Sequence, residues 1–203
     1  MTTIHLVRHG EAVWNAEGKY QGQADSGLTE LGHEQAHSAA AWLRDSFPRI
    51  DGVACSDLPR VRDTAAPFLT AIGHSPQVDS RLREIDVGSW AGRTFEEVAT
   101  AEPASVAAAA RGEDVRRGGG ETFAELRRRV VAALDELVAS HQPGATLVVF
   151  THGGPIRVAT AAALGVPIPG HHPIGSPDNC SVTTLAWNPR RLLAFNQQTI
   201  GTR

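Results

Sequence analysis

Thr146-Leu147-Val148-Val149-Phe150-Thr151-His152-Gly153 and Ile4-His5-Leu6-Val7-Arg8-His9-Gly10 repeat one pattern at opposite ends of the chain. In each, a short apolar run rich in β-branched residues ends abruptly in His-Gly. Runs of that length halted by glycine read as buried strands of an α/β sheet. Ligands in such sheets sit just beyond the carboxyl ends of the strands. Both histidines and Arg8 are therefore expected on one rim.

Working outward, the first strand (about Thr3 to Val7) runs into a polar, glycine-containing loop from Glu11 to Leu28. Thr29 reads as the N-cap of a helix reaching about Asp45, with Leu31, Ala36, Ala39, Ala40 and Leu43 on its inner side. Asp51 to Cys55 is a short strand. Ser56-Asp57-Leu58-Pro59-Arg60 places an acidic or hydroxyl cap before a proline, which marks a helix start. Pro76 to Leu82 reads as a further strand. Between Gly88 and Gly120 lie one or two short alanine-rich helices, closed by Arg116-Arg117-Gly118-Gly119-Gly120. Thr122-x-x-Glu125 is a capping box, with Leu126, Val130, Leu134 and Leu137 at helical spacing behind it. A helix from about Gly154 to Leu164 carries Pro155 in its first turn. Ser181 to Trp187 and Arg191 to Asn196 form a closing hairpin around Asn188-Pro189-Arg190. Strands alternating with helices make this an α/β chain with a largely parallel sheet.

A length of 203 residues, 41% of them hydrophobic, suffices for one domain with a full core. A net charge of −3 gives no bulk attraction to nucleic acid or anionic membranes. No apolar run approaches a membrane span. The N-terminus shows no signal-peptide pattern. Cys55 and Cys180 lack Cys-x-x-Cys spacing and are expected as reduced, buried thiols. These features point to a cytoplasmic protein.

A phosphoryl group needs fixed donors around its charge, and a guanidinium offers a two-pronged match to two oxygens. Arg8 emerges at a strand end. Arg60 falls in the first turn of a helix, where backbone N–H groups and the dipole favour an anion. His152 stands at the next strand-to-helix junction, with Gly153 and Gly154 allowing close backbone approach. Taken singly, Arg60 fits a surface ion pair and His152 a half-buried structural slot. Glu84, among Arg81, Arg83 and Asp86, fits a surface ion-pair cluster. Metal binding is the competing use of paired histidines, but no carboxylate or third histidine lies at ligand spacing. His171-His172, in a Pro- and Gly-rich loop, reads as solvated. No P-loop pattern occurs.

The ordered set of motifs is more specific than any member. Leu6-Val7-Arg8-His9-Gly10-Glu11 resembles the signature of the histidine phosphatase superfamily, the phosphoglycerate-mutase-like proteins. The likeness continues through Asn15, Gln21-Gly22-Gln23, Leu28-Thr29-Glu30-Leu31-Gly32, Ser56-Asp57-Leu58-x-Arg60-x-x-x-Thr64-Ala65, Leu82-Arg83-Glu84, Gly119-Gly120-Glu121 and Thr151-His152-Gly153-Gly154, in the family's order from Ile4 to about Leu185. The resemblance implies a single-domain three-layer α/β/α sandwich with a mostly parallel central sheet. It implies a metal-independent phosphomonoesterase with no cofactor. His9 would be the nucleophile and carry a phosphohistidine, and Arg8, Arg60 and His152 would surround the equatorial oxygens. Glu84 would be the general acid and then the base. Asn15, Gln21, Gly22 and Gly153 would be secondary phosphate or substrate contacts. One position departs from the pattern: Ala12 stands where the family usually has Thr or Ser, which removes a hydroxyl from the phosphate rim.

The same core serves mutases, which hold the phosphoenzyme dry until an acceptor hydroxyl returns. Glycolytic mutases of the family carry a longer segment between the general acid and the second histidine. Here that segment (Thr94 to Ala110) is short and alanine-rich, which favours a phosphatase. Arg111, Arg116 and Arg117 could meet an anionic substrate, although loop arginines beside glycines are mostly solvated. A catalytically silent phospho-ligand module would be expected to have lost His9, Glu84 or a pocket arginine, and this chain keeps all of them. Sugar phosphates, glucosyl-phosphoglycerate, phosphoglycerates, a cobalamin-precursor phosphate and broad small phosphoesters all fit the core. The discriminating walls are expected from Trp14, Tyr20, Gln23, Trp90 and the Gly88 to Gly120 segment. The closing hairpin offers a strand edge on which a homodimer could pair.

Overall fold

Two strands rich in Val, Leu and Ile, Thr2–Arg8 (β1) and Thr146–Thr151 (β4), lie side by side and parallel at the centre of a six-stranded sheet. The computed structural model describes residues 1–199. In chain order the other elements up to the sheet's second edge are Val13–Ala16 (α1), Glu30–Ser46 (α2), Gly52–Cys55 (β2), Pro59–Ile72 (α3) and Gln77–Val78 (β3). Then come Phe95–Ala101 (α4), Pro103–Ala110 (α5) and Phe123–Ala139 (α6) ahead of β4. Gly153–Ala163 (α7), Val182–Trp187 (β5) and Arg191–Gln197 (β6) follow it among the described residues. The strand order is β3-β2-β4-β1-β5-β6. The pairs β1–β4, β2–β4 and β2–β3 are parallel, whereas β1–β5 and β5–β6 are antiparallel. The sheet is thus mixed, its antiparallel part being the closing hairpin.

Helices cover both faces and make three layers. Leu126, Val130 and Leu134 of α6, with Ile156 and Ala159 of α7, pack on Ile4, Leu6, Leu147 and Val149. Ala40 and Leu43 of α2, with Val61, Ala65 and Phe68 of α3, pack on Val7, Val53, Val148 and Phe150 across the sheet. Alternation along β1 and β4 therefore feeds two apolar layers, as a doubly covered sheet requires. Cys55 and Cys180 are free and buried.

Local caps follow the side chains that the sequence offers. Thr29 Oγ1 accepts from Gly32 N–H at 3.0 Å, and Thr122 and Glu125 close a reciprocal capping box. Several expectations are corrected. Leu31 is 47% exposed, and Gly32 faces inward in its place. A Cβ at Gly32 would collide with the Glu11 backbone, so the helix can approach the first loop only through this glycine. The loop after β1 holds the one-turn helix α1. The strand expected from Pro76 to Leu82 shrinks to Gln77–Val78, because Asp79 accepts from Arg81 N–H at 2.8 Å and starts a 3₁₀ turn. The cap position of α3 is Leu58, whose side chain makes no cap bond. His171 is buried, not solvated, with its ring 4.3 Å from that of Phe123.

Candidate active site

The carboxyl ends of β1 and β4 deliver Arg8, His9 and His152 to one rim, as expected from the two His-Gly stops. His9 is buried at the floor of a cavity of about 330 Å³. Its Nδ1 lies 2.7 Å from Gly10 O, a geometry that only a protonated Nδ1 satisfies as donor. Nε2 is thereby left as the nitrogen with a lone pair. His9 is held further by Asn179, whose Nδ2 donates to His9 O at 2.9 Å. Gly10 N–H donates to Thr64 Oγ1 on α3 at 2.9 Å. A Cβ at Gly10 would collide with the Gly32 carbonyl, so the loop lies flat against α2 only with glycine there.

Arg60 is fully buried in the first turn of α3. Its Nη1 donates to Ala24 O at 2.7 Å and pairs with Asp25 Oδ1 at 3.2 Å. Nη2 donates to Gly22 O at 2.7 Å and meets His152 Nδ1 at 3.1 Å. Gly22, at φ +55°, can present this carbonyl because a side chain would run into Val87. Since arginine can only donate, His152 Nδ1 is the acceptor, and Nε2–H faces Ser56 Oγ at 3.0 Å. His152 stands edge-on behind His9, ring centroids 5.2 Å apart. Burial, reinforced by the positive charge of Arg60 and Arg8, holds both imidazoles well below their ordinary pKa. His9 is therefore neutral at neutral pH.

Among the described residues, three donors at this rim lack a protein partner. Arg8 Nη1 donates to Pro177 O at 2.5 Å, but its buried Nε is unpaired, as is Arg60 Nε. Gln21 is buried with neither amide atom bonded. Buried donors of this kind are costly unless something accepts from them. Asn15 lines the same cavity, and its Oδ1 also accepts from Ala12 N–H at 3.1 Å. Gly153 is on the wall as well.

Glu84 projects into the cavity from the loop after β3. Its carboxylate accepts from Gly154 N–H at 3.1 and 3.2 Å and from Ile85 N–H at 2.8 Å. The first turn of α7 thus fixes an acidic group at its positive end. Arg129 holds the backbone beneath it. Its Nη1 donates to Arg81 O and Arg83 O, each at 2.7 Å, and Nη2 donates to Glu84 O at 2.8 Å and pairs with Glu121. Arg83 pairs with Asp57, outside the cavity.

The sequence motifs therefore converge: Arg8, His9, Asn15, Gln21, Gly22, Arg60, Glu84 and Gly153 line one cavity, with His152 directly behind. Sequence reasoning missed Asp25, Arg129, Asn179 and Arg157. For Arg157 a signal existed: it lies three residues after Gly154 on α7, on the same helical face. Arg129 carried none, because the backbone carbonyls it holds beneath Glu84 lie more than forty residues away. Among the described residues no cluster of three or more His, Cys, Asp or Glu side chains could hold a metal.

Comparison with known proteins agrees with this geometry. The glucosyl-3-phosphoglycerate phosphatase of Mycolicibacterium vanbaalenii is 36% identical over 193 residues, covering 91% of this chain and 84% of the relative. A probable phosphoglycerate mutase of Erwinia tasmaniensis is 35% identical over 186 residues, covering 91% and 85%. Among solved structures, a mycobacterial glucosyl-3-phosphoglycerate phosphatase complexed with VO3 superposes with a TM-score of 0.88 at 32% identity, covering 96% of this chain and 98% of that one. A mutant phosphoserine phosphatase from Entamoeba histolytica in complex with phosphoserine gives 0.85 at 27% identity, covering 98% of both chains. The family model for the histidine phosphatase superfamily, branch 1, matches residues 4–197. With its two His-Gly strand ends meeting at one cavity, the chain belongs to the histidine phosphatase superfamily.

Proposed function

We propose that this protein is a metal-independent phosphomonoesterase that hydrolyses a small phosphorylated metabolite through a phosphohistidine on His9. The carrying observation is a neutral imidazole with a free Nε2 among unpaired buried donors of Arg8, Arg60 and Gln21. In the first step the Nε2 lone pair attacks phosphorus as the ester P–O bond breaks, and protonated Glu84 gives its proton to the leaving oxygen. In the second, Glu84 takes a proton from water, whose oxygen attacks phosphorus, and the P–N bond breaks to release phosphate. Arg8 and Arg60 supply the positive charge that the equatorial oxygens need, so the step requires no metal. His152 acts on the same oxygens' environment by fixing the Arg60 guanidinium. Asn15, Gln21 and the Gly22 and Gly153 backbone complete the phosphate and substrate contacts. The relatives' names make glucosyl-3-phosphoglycerate, phosphoserine and phosphoglycerate the first esters to try. The same reading makes it a cytoplasmic enzyme of small molecules rather than of nucleic acid. No described helix is long and apolar enough to cross a membrane.

Transfer to a second hydroxyl of the same substrate, as in a mutase, is the second reading, and the resemblance to a probable phosphoglycerate mutase favours it. One experiment separates the two. A panel of phosphomonoesters including 3-phosphoglycerate is incubated without added metal, beside His9→Ala. Phosphate release that disappears in the variant supports the phosphatase. Isomerised 3-phosphoglycerate with little free phosphate would replace it with the mutase, and no turnover together with no labelling of His9 would sink both.

A further inference from the structure

Gly32 and Gln35 stand three residues apart on one face of α2. Because Gly32 has no side chain, that face presses against the backbone of Glu11, and Gln35, half-buried, reaches the same loop. Its Oε1 accepts from Glu11 N–H at 2.8 Å. Only the oxygen of the amide can accept, so this bond sets which way the side chain faces. Glu11 N–H belongs to the Gly10–Glu11 peptide, whose carbonyl is the partner of His9 Nδ1 at 2.7 Å. Gln35 therefore stands two hydrogen bonds from the nucleophile, and bonds made at the two ends of one peptide group polarise each other. The preceding peptide is held differently, by Asn179 on His9 O and Thr64 on Gly10 N–H. The chain acts where charge develops. Attack through Nε2 leaves a positive charge on the imidazole, and Nδ1–H is the group that passes part of it to an acceptor. Burial, Arg60 and Arg8 all oppose that charge, and the Gly10 carbonyl works against them.

We infer that Gln35 is a positioning residue for the nucleophile: it anchors and polarises the Gly10–Glu11 peptide, so that the Gly10 carbonyl orients the His9 ring and stabilises it as it becomes cationic. The inference rests on the phosphohistidine reading and adds to it a residue that does not line the phosphoryl cavity.

The test compares two substitutions in the full-length protein. Gln35→Met keeps the length and helix propensity of the side chain but offers only a weak acceptor, whereas Gln35→Glu keeps an oxygen. On whichever ester the wild type turns over, Gln35→Met should lower kcat/KM about tenfold, the scale of one hydrogen bond that strengthens in the transition state. The inhibition constant of inorganic phosphate, which Arg8 and Arg60 hold, should stay close to the wild-type value. Gln35→Glu should restore most of the turnover. In proton NMR spectra the His9 Nδ1–H resonance, identified as the imidazole signal missing from His9→Ala, should move upfield in Gln35→Met as its hydrogen bond weakens. Unchanged kcat/KM in Gln35→Met or no recovery in Gln35→Glu overturns the positioning role. Equal losses of turnover and phosphate affinity do so too, since they mark Gln35 as structural. Should the wild type turn over no ester, the phosphatase reading fails, and the resonance then decides alone: an unmoved signal overturns the positioning role. If Gln35→Met does not fold, Gln35→Ala, the best helix former, is read by the same criteria.

Discussion

Gly154 lacks a side chain because a Glu84 carboxylate oxygen occupies the place where its Cβ would be. The same glycine donates its N–H to both oxygens of that carboxylate. Gly154→Ala should therefore push Glu84 out of line while α7, packed by Ile156 and Ala159, stays folded. The expected loss in kcat is about 10²-fold on an alkyl phosphate, in the range that a positioned general acid contributes. On p-nitrophenyl phosphate, whose leaving group departs without a proton, the loss should be several times smaller. Steady-state kinetics on the two esters checks this, and equal losses would deny Glu84 the role of acid. At this scale the sequence was legible where a residue type is forced. Arg8, His9, Arg60, Glu84 and His152 stood out by their family pattern, and the first four line one cavity with His152 directly behind it. Gln21 was named too, yet the sequence held no sign that its amide would be buried without partners.

Helix starts were legible when the cap came from the neighbouring residues, as at Thr29 and Thr122. The start of α3 was misread in detail because its cap comes from elsewhere. Leu58 cannot cap, and Asp25, 35 positions upstream of Arg60, accepts from the Arg60 N–H at 3.3 Å and from its guanidinium at 3.2 Å. No periodicity reveals a cap borrowed across a loop. Asp25 therefore ties the loop that carries Gln21 and Gly22 to the helix that carries Arg60. Asp25→Ala should cost about 1 kcal/mol, the usual worth of a lost helix cap, and lower the melting temperature by roughly 2–4 °C. Asp25→Asn, which keeps an acceptor, should recover most of it. Thermal unfolding of the three proteins tests the cap, and indistinguishable melting temperatures for Ala and wild type would refute it. The burial of His171 was illegible for the same reason, since it depends on Phe123 at the start of α6.

On the scale of the molecule, the alternation of strands and helices pointed to an α/β chain with a largely parallel sheet, the family resemblance implied the three layers, and the two His-Gly stops located the site. Which strands neighbour one another, and how Gly88 to Gly120 folds over the rim, depends on long-range packing that local pattern does not encode. The layers have a further consequence through their imidazoles. His5 sits inside β1, only 3% exposed, stacked on Phe47 with ring centroids 3.7 Å apart and Nδ1 3.0 Å from Thr184 Oγ1. Burial lowers its pKa from 6.5 to about 4. Burial lowers His171 to about 4 as well, and holds His9 and His152 well below 6.5. In the unfolded chain each imidazole would titrate near 6.5. Between about pH 6.5 and 4, then, the unfolded chain binds protons that the folded chain refuses, so stability is complete above 6.5 and falls as the pH drops towards 4. His5 alone should account for about 1.4 kcal/mol per pH unit across that window. His5→Gln keeps a polar group near Thr184 but cannot titrate, so it should lower stability at pH 7 while flattening its pH dependence by that slope. Urea unfolding of both proteins at pH 7.0, 6.0 and 5.0 measures the difference. Parallel pH profiles would mean that His5 is protonated in the fold, which the apolar layer around β1 does not permit.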